Sequence, residues 1–240
     1  MPGGRRTDRI SQRDLEVLEF VARFGVVSRE AIAVWAGTAR AVTAARERRL
    51  REAGLIEVLP GIGDTGRIVV CKRAGLRAVC REELPTPRPS PASLIHSVVC
   101  AQVAAGLECE GHHVLSEYEI AARERAEGKR IYSAEVRKGR HHRPDLVVHG
   151  DPPEAIEVEL SDKSNRRLDE ILRGWRWAVA EKRIGRVRYL CSTRSRAYVT
   201  RAADRMSGGE WIEIELLEEP FSYSVRAAPP FVSHRAQSKP

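Results

Sequence analysis

Four prolines alternate with other residues between Leu84 and Ser93, in the stretch LPTPRPSPAS (Pro85, Pro87, Pro89, Pro91). Such a run lacks the N–H groups that a helix or a central strand needs, and it favours extended polyproline geometry. It therefore divides the chain, and 240 residues suffice for a core on either side. The expected organisation is a first unit over 1–84, a linker over 85–93, a second unit over 94–217 and a tail over 218–240. The tail lacks periodicity after Pro220 and is expected to end as a disordered or surface arm.

Before the prolines the period is helical. Leu15, Leu18, Val21 and Ala22 fall on one face of a stretch from Ser11 to Phe24, which Gly25 ends. Ser28 with Arg29-Glu30 opens a second helix carrying Ile32, Ala33 and Trp35. Gly37 closes it, and Thr38 is the expected N-cap of a third helix running to about Ala53. After Gly54 the period changes to two: LIEVLP and GRIVVCK, joined by GIGDTG, read as a β-hairpin. Three helices and a hairpin follow the order of a winged helix-turn-helix, and RRLREAGLIEVL resembles that family at its helix-to-wing junction. The third helix would then lie in the major groove, its N-terminal residues towards the bases. Arg40, Arg46 and Arg48 on it, with Arg67 on the hairpin, are the expected DNA contacts, Arg40 and Arg46 ahead of Arg49 and Arg51, which lie near the wing.

Charge agrees with a polyanionic partner. Lys and Arg number 41 against 33 Asp and Glu, a net charge of +8, and each phosphate neutralised releases a condensed counterion. Double-stranded DNA is the expected partner, a homodimer stays open, and a membrane is excluded as a partner. The five cysteines (Cys71, Cys80, Cys100, Cys109, Cys191) form no CxxC pair, and their odd, scattered set fits a reducing compartment. Cys80, Cys100 and Cys191 read as small hydrophobes. The N-terminus has no apolar h-region and no run of eighteen apolar residues occurs, so a cytoplasmic location is expected.

After the prolines, helices and strands alternate. Ile95, Val98, Val99, Gln102, Val103 and Leu107 trace one helical face. HVLSEYEI, IYSAEV, PDLVVHG and EAIEVELS read as strands, Lys163 to about Arg183 as a helix, RVRYLCS as a strand, Ser195 to Arg205 as a helix and WIEIEL as a last strand. The fold class expected is α+β or α/β. Twelve residues separate Asp145 in RPDLVV from Glu157 in AIEVELS, and a turn at HGDPP lets two hairpin strands bring both carboxylates to one end. Alternation sets Glu157 and Glu159 on one face of an otherwise apolar strand; if that face is buried, they need a cation or hydrogen-bond donors.

These two segments, and the order of helix, several antiparallel strands, helix and strand, resemble the restriction-endonuclease-like PD-(D/E)xK superfamily. The resemblance implies that Asp145 and Glu157 hold Mg²⁺ or Mn²⁺ with help from the Val158 carbonyl, and that the ion assists phosphodiester hydrolysis. The family lysine belongs two residues after Glu157, where this chain has Glu159; Lys163, four residues on, is the expected substitute. The catalytic set is thus Asp145, Glu157, Glu159 and Lys163.

From Ser11 to Leu217 the chain also resembles the replication-relaxation family of bacterial plasmids and mobile elements. The residues that carry this are His96, Arg143-Pro144-Asp145, Glu157-Val158-Glu159-Leu160-Ser161, Lys163-Ser164 and Arg167. It implies a role in plasmid replication or DNA relaxation. His96 stands on the first helix, where the superfamily often has a glutamate near the metal, but helix packing explains it as well. Glu117 and Glu119 on a strand, His141 and His142 in a loop, and Arg166, Arg167 and Arg173 on a helix side are further polar candidates that ordinary surface also explains. A histidine-based tyrosine relaxase is excluded, because His112-His113 and His141-His142 are adjacent pairs and cannot face one metal from a strand. Two functions remain: a DNA nuclease or nickase of a mobile element, or a non-enzymatic DNA-binding regulator on a degenerate nuclease fold.

Overall fold

The first half of the chain builds its helices from local signals. In the computed structural model, which describes residues 10–61, 66–161, 164–207 and 209–217, helix α1 (Gln12–Phe24) opens on a capping box. The Ser11 side chain accepts the Asp14 N–H, and Asp14 takes the Ser11 N–H in return. Gly25, at φ 73°, ends the helix. Strand β1 (Val26–Ser28), helices α2 (Arg29–Trp35) and α3 (Arg40–Glu52), strands β2 (Ile56–Leu59) and β3 (Ile68–Cys71), and helix α4 (Arg73–Ala78) follow. The expected hairpin is present, with residues 62–65 of its connection outside the described residues. It gains a third strand that the periodicity does not reveal: β1 pairs antiparallel with β3, giving the order β1-β3-β2. Three residues are too few to show a period of two.

The expected N-cap of α3 is corrected by one residue. Ala39 caps it without a side-chain bond, while the Thr38 hydroxyl meets the Thr43 hydroxyl at 3.1 Å.

The second half begins earlier than expected, with α5 (Pro91–Cys109) entering the expected linker. Ser90 and Ser93 form a capping box around Pro91 at the first turn, the one place in a helix where proline costs nothing. Then come β4 (Val114–Ser116), α6 (Glu117–Glu127), a separate hairpin of β5 (Ala134–Arg137) and β6 (Arg140–His142), then β7 (Leu146–Val148) and β8 (Glu154–Glu159). Helix α7 (Asn165–Ala180), β9 (Arg186–Cys191), α8 (Thr193–Arg205) and β10 (Ile212–Leu216) complete it. The central sheet has the order β10-β9-β8-β7-β4, with β4, β7 and β8 antiparallel in turn and β8, β9 and β10 parallel. Residues Val99 and Val103 of α5 pack with Leu146, Ile156 and Val158 on one side of the sheet. Leu168, Trp175 and Ala178 of α7 pack with Ala155, Val187 and Tyr189 on the other. The architecture is therefore mixed α and β.

Two expectations fail here for local reasons. HVLSEYEI is a strand only over its first residues, because Ser116 and Glu119 form a capping box that starts α6. Glu117 and Glu119 thus stand on a helix. His141 and His142 lie in β6 rather than in a loop.

The proline stretch does not hold two independent bodies apart. Val17, Leu18 and Phe20 of α1 belong to the same apolar cluster as Val99, Leu146 and Ile156. Pro87 is buried, and a side chain at Gly25 would come within 2.8 Å of it and 2.6 Å of the Tyr118 ring. Polar groups cross the same interface: Arg23 reaches Glu108 (2.7 Å) and Glu119 (3.0 Å), the Trp35 indole donates to Glu108 (2.7 Å), and the Ser116 hydroxyl donates to the Arg23 carbonyl (2.6 Å). Residues 85–90 form neither helix nor strand, Pro91 opens α5, and apolar burial decided where the stretch lies. All five cysteines are free thiols; Cys80, read as a small core residue, is exposed with Cys109. Among the described residues no helix is long and apolar enough to cross a membrane.

Candidate active site

Strand β8 supplies two carboxylates to one side of the sheet. Glu157 and Glu159 are 2% and 3% exposed, and Glu157 stands opposite Tyr189 of the neighbouring parallel strand. Burying a carboxylate without partners is prohibitive, and Glu157 has two: the His142 imidazole Nε2 at 2.7 Å and the Trp175 indole N–H at 3.0 Å, both on Oε1. His142 comes from the β5–β6 hairpin, which packs on α7 because residue 174 is glycine; a Cβ there would lie 2.7 Å from the Glu135 carbonyl oxygen.

Asp145 precedes β7, and the pairing of Leu146 with Ile156, continued by one step, sets it opposite Glu157. Its Oδ2 accepts the Val158 N–H at 2.7 Å, so its carboxylate is tied to the strand that bears Glu157 and Glu159. From the far side α5 brings His96, whose Nε2 lies 3.3 Å from Asp145 Oδ2 and 3.2 Å from the Val158 carbonyl oxygen. Burial works against the His96 imidazolium, but the Asp145 carboxylate and the Cys100 sulfur outweigh it and hold its pKa up at about 12. The imidazole thus stands between the two oxygens that the superfamily resemblance assigns to a cation. A cleft of about 210 Å³ opens on His96 and Asp145, with Arg88, Ser93 and Ser97 along it.

The Tyr189 hydroxyl is buried without a hydrogen-bond partner among the described residues. Burial raises its pKa, and the charges of Glu157, Glu159 and Asp145 raise it further, so all three carboxylates act on one hydroxyl. The orphaned hydroxyl belongs to the residue that pairs with Glu157 across the sheet, and such a group marks a place that something else completes. The donors there are carboxylate, carbonyl and hydroxyl oxygens, which suit Mg²⁺ or Mn²⁺.

A second donor set, His96 with Cys100 and Asp145, has its ligand atoms within 4.8 Å of one another, but its directions are wrong for a tetrahedral thiolate site. The Cys100 sulfur is 3.7 Å from Nδ1 and 3.9 Å from Nε2. A metal on Nε2, at about 2.0–2.1 Å along the lone pair, would hold a thiolate far from Nδ1 and on the opposite side. Burial also pushes the Cys100 thiol up to about 12, keeping its proton. The trio is a hydrogen-bonded packing cluster. The donor atoms of Asp145, Glu157 and Glu159 do not form such a close trio among the described residues, so the expected convergence of three carboxylates is looser than the strand spacing suggested. Lys163 lies outside the described residues.

On α3 the arginines divide. Asp14 of α1, fully buried, binds Arg49 at 2.7 Å and Arg46 at 3.4 Å, while Glu47 binds Arg29 at 2.6 Å. Arg46 is therefore turned into the joint between α1 and α3, which corrects its expected place at the bases. Arg40 and Arg48 are exposed, as is Arg67 beside β3. Val42, between them, is 44% exposed. Of the remaining polar candidates, Glu119 is held by Arg23 and Arg81, Glu117 by Arg143 at 3.1 Å, and Arg166 by Glu170 at 3.2 Å; Arg167 is half-buried and Arg173 exposed.

Residue reasoning missed Trp175 and Tyr189 and left His142 among loop residues. Trp175 carried a usable signal, since an inward tryptophan needs an acceptor for its N–H. The placement of Tyr189 depends on strand register, which the sequence does not print. Compared with protein-family models and with curated proteins, the chain matches none.

Proposed function

We propose that this chain binds duplex DNA through α3 and the β2–β3 wing, and that its second half is a nuclease-like unit that nicks or cuts DNA with a divalent cation, in the replication or relaxation of a plasmid or mobile element. The observation that carries this reading is the bond from Val158 N–H to Asp145, which joins the aspartate of the Arg-Pro-Asp triplet to the strand of Glu157 and Glu159. With α6 and the separate β5–β6 hairpin inserted between β4 and β7, the order α5, β4, β7, β8, α7, β9 agrees with the helix, strands, helix and strand of the restriction-endonuclease-like fold. Exposed Arg40 and Arg48 on a helix with an open N-terminus suit phosphate and guanine contact.

Asp145, Glu157 and the Val158 carbonyl would hold Mg²⁺ or Mn²⁺, which when bound activates water and neutralises charge on the phosphate. The chain's own residues prepare the place. Val158 N–H orients Asp145, and His142 with Trp175 hold one oxygen of Glu157. His96 must yield its contact with Asp145 when a cation enters. With supercoiled plasmid and Mn²⁺, the wild-type protein should give nicked or linear product, and Asp145→Asn and Glu157→Gln should give none while keeping DNA affinity. No topological change with the wild type would sink the cleavage reading. Arg40→Ala with Arg48→Ala should weaken duplex affinity by about 1–3 kcal/mol if either contacts a base.

A specific observation favours the second reading, a DNA-binding regulator: His96, His142 and Trp175 already satisfy Asp145 and Glu157 without any ion. In that case Mn²⁺ leaves the melting curve unchanged, whereas a bound cation raises it with concentration.

A further inference from the structure

Trp177, on the outer side of α7, is 64% exposed, far more than a tryptophan needs to be in a chain with only four of them. Its indole N–H donates to Glu181 Oε1 at 2.7 Å, while much of the ring's surface meets solvent. Beside it is a hollow of about 650 Å³ between α7 and the β5–β6 hairpin. Arg137 and Lys138 at the hairpin tip border it on one side, Arg173 and Arg176 of α7 on the other, with Glu135 as the acidic residue along it. Arg137 is shared with Glu170, and Arg176 donates to the Met206 carbonyl. Arg173, Arg176 and Lys138 are all exposed. Gly174, which lines the hollow, lets the hairpin approach the helix backbone.

An exposed aromatic face beside Lys138, Arg173 and Arg176 is complementary to a strand with unpaired bases and a phosphate backbone. Duplex DNA hides its base faces and cannot use the indole; a protein partner would gain little from a rim of this charge. We propose that the hollow between α7 and the β5–β6 hairpin is a binding platform for single-stranded nucleic acid, with a base stacked on Trp177 and the backbone tracked by Lys138, Arg173 and Arg176. Stacking of this kind tolerates any base sequence, and its phosphate contacts weaken with salt. The inference stands apart from the cleavage reading and from duplex binding by α3. It adds a second nucleic-acid surface, on the hairpin that also supplies His142 to Glu157.

The test uses the full chain and a fluorescently labelled oligothymidylate, with a hairpin duplex as the comparison ligand. Trp177→Ala should weaken oligothymidylate binding about 5- to 100-fold, and Trp177→Phe should restore most of it. Arg173→Ala with Arg176→Ala should weaken it and flatten its salt dependence, while duplex affinity stays within twofold in every case. Unchanged oligothymidylate affinity in Trp177→Ala overturns the platform. So does equal weakening of duplex and single strand, which would mean a general cationic surface. A Trp177→Ala protein whose main change is its oligomeric state, seen by sedimentation, would show instead that the face meets protein. Arg40→Ala, which alters duplex binding alone, keeps failure of this proposal distinguishable from failure of the α3 reading.

Discussion

Asp14 and Glu157 are both closed off from water, at 0% and 2% exposure, yet they are stabilised by opposite means. Asp14 faces two guanidinium groups, those of Arg49 and Arg46, and lends its other contacts to the cap of α1. Burial alone would raise its pKa, but Arg49 and the Ser11 hydrogen bonds outweigh that and hold it at about 2. Its charge is spent inside the molecule. Glu157 receives an indole N–H and an imidazole, both on one oxygen, and shares its neighbourhood with the orphaned Tyr189 hydroxyl. The first arrangement closes a helix joint with opposite charge, whereas the second holds a carboxylate by two ring N–H donors and no guanidinium among the described residues. Two buried carboxylates that look alike in burial therefore carry different implications, and the donors beside them tell which is structural.

The largest effect that would sharpen this contrast is on stability. Asp14→Ala removes the carboxylate that Arg46 and Arg49 share and should cost about 3–5 kcal/mol in urea denaturation; a loss under about 1 kcal/mol would mean that the pair is not what joins α1 to α3. A smaller effect follows from pH. Because the Asp14 pKa is depressed in the folded state, its contribution is complete above 3.8 and fades as pH falls towards 2. The stability gap between wild type and Asp14→Asn should therefore narrow across that window and stay constant above it. The smallest effect is expected at Glu157→Gln, which keeps an acceptor for His142 and Trp175 and should cost about 1 kcal/mol or less. Its consequence should appear instead as loss of any Mn²⁺-dependent rise in melting temperature. Should Glu157→Gln destabilise as much as Asp14→Ala, the glutamate is a structural anchor and the contrast is broken.

Local pattern was enough for much of the fold. Amphipathic spacing located α1, α5 and α7 to within a few residues, and the change to a period of two located β2 and β3, because both periods are properties of the backbone itself. The Asp145 to Glu157 spacing also led to the right pair of adjacent strands. Capping was read less fully. Ser116 and Glu119 form a capping box that is legible as S-x-x-E, and overlooking it turned the start of α6 into a strand.

What the sequence determined by itself is therefore what depends on near neighbours along the chain: periodicity, caps, the break in helix and strand at the prolines and the alternation that sets Glu157 with Glu159. Tertiary structure decided the rest, since it turns on which distant groups meet. Arg46 is as basic as Arg40, and only the arrival of Asp14 from α1 draws it inward. The prolines keep residues 85–90 out of helix and strand, but the apolar faces of α1 and α5 still close into one cluster. His96 meets Asp145, and His142 meets Glu157, across 49 and 15 residues of chain. A buried charge must find its partner in space, and sequence spacing places no limit on where that partner comes from.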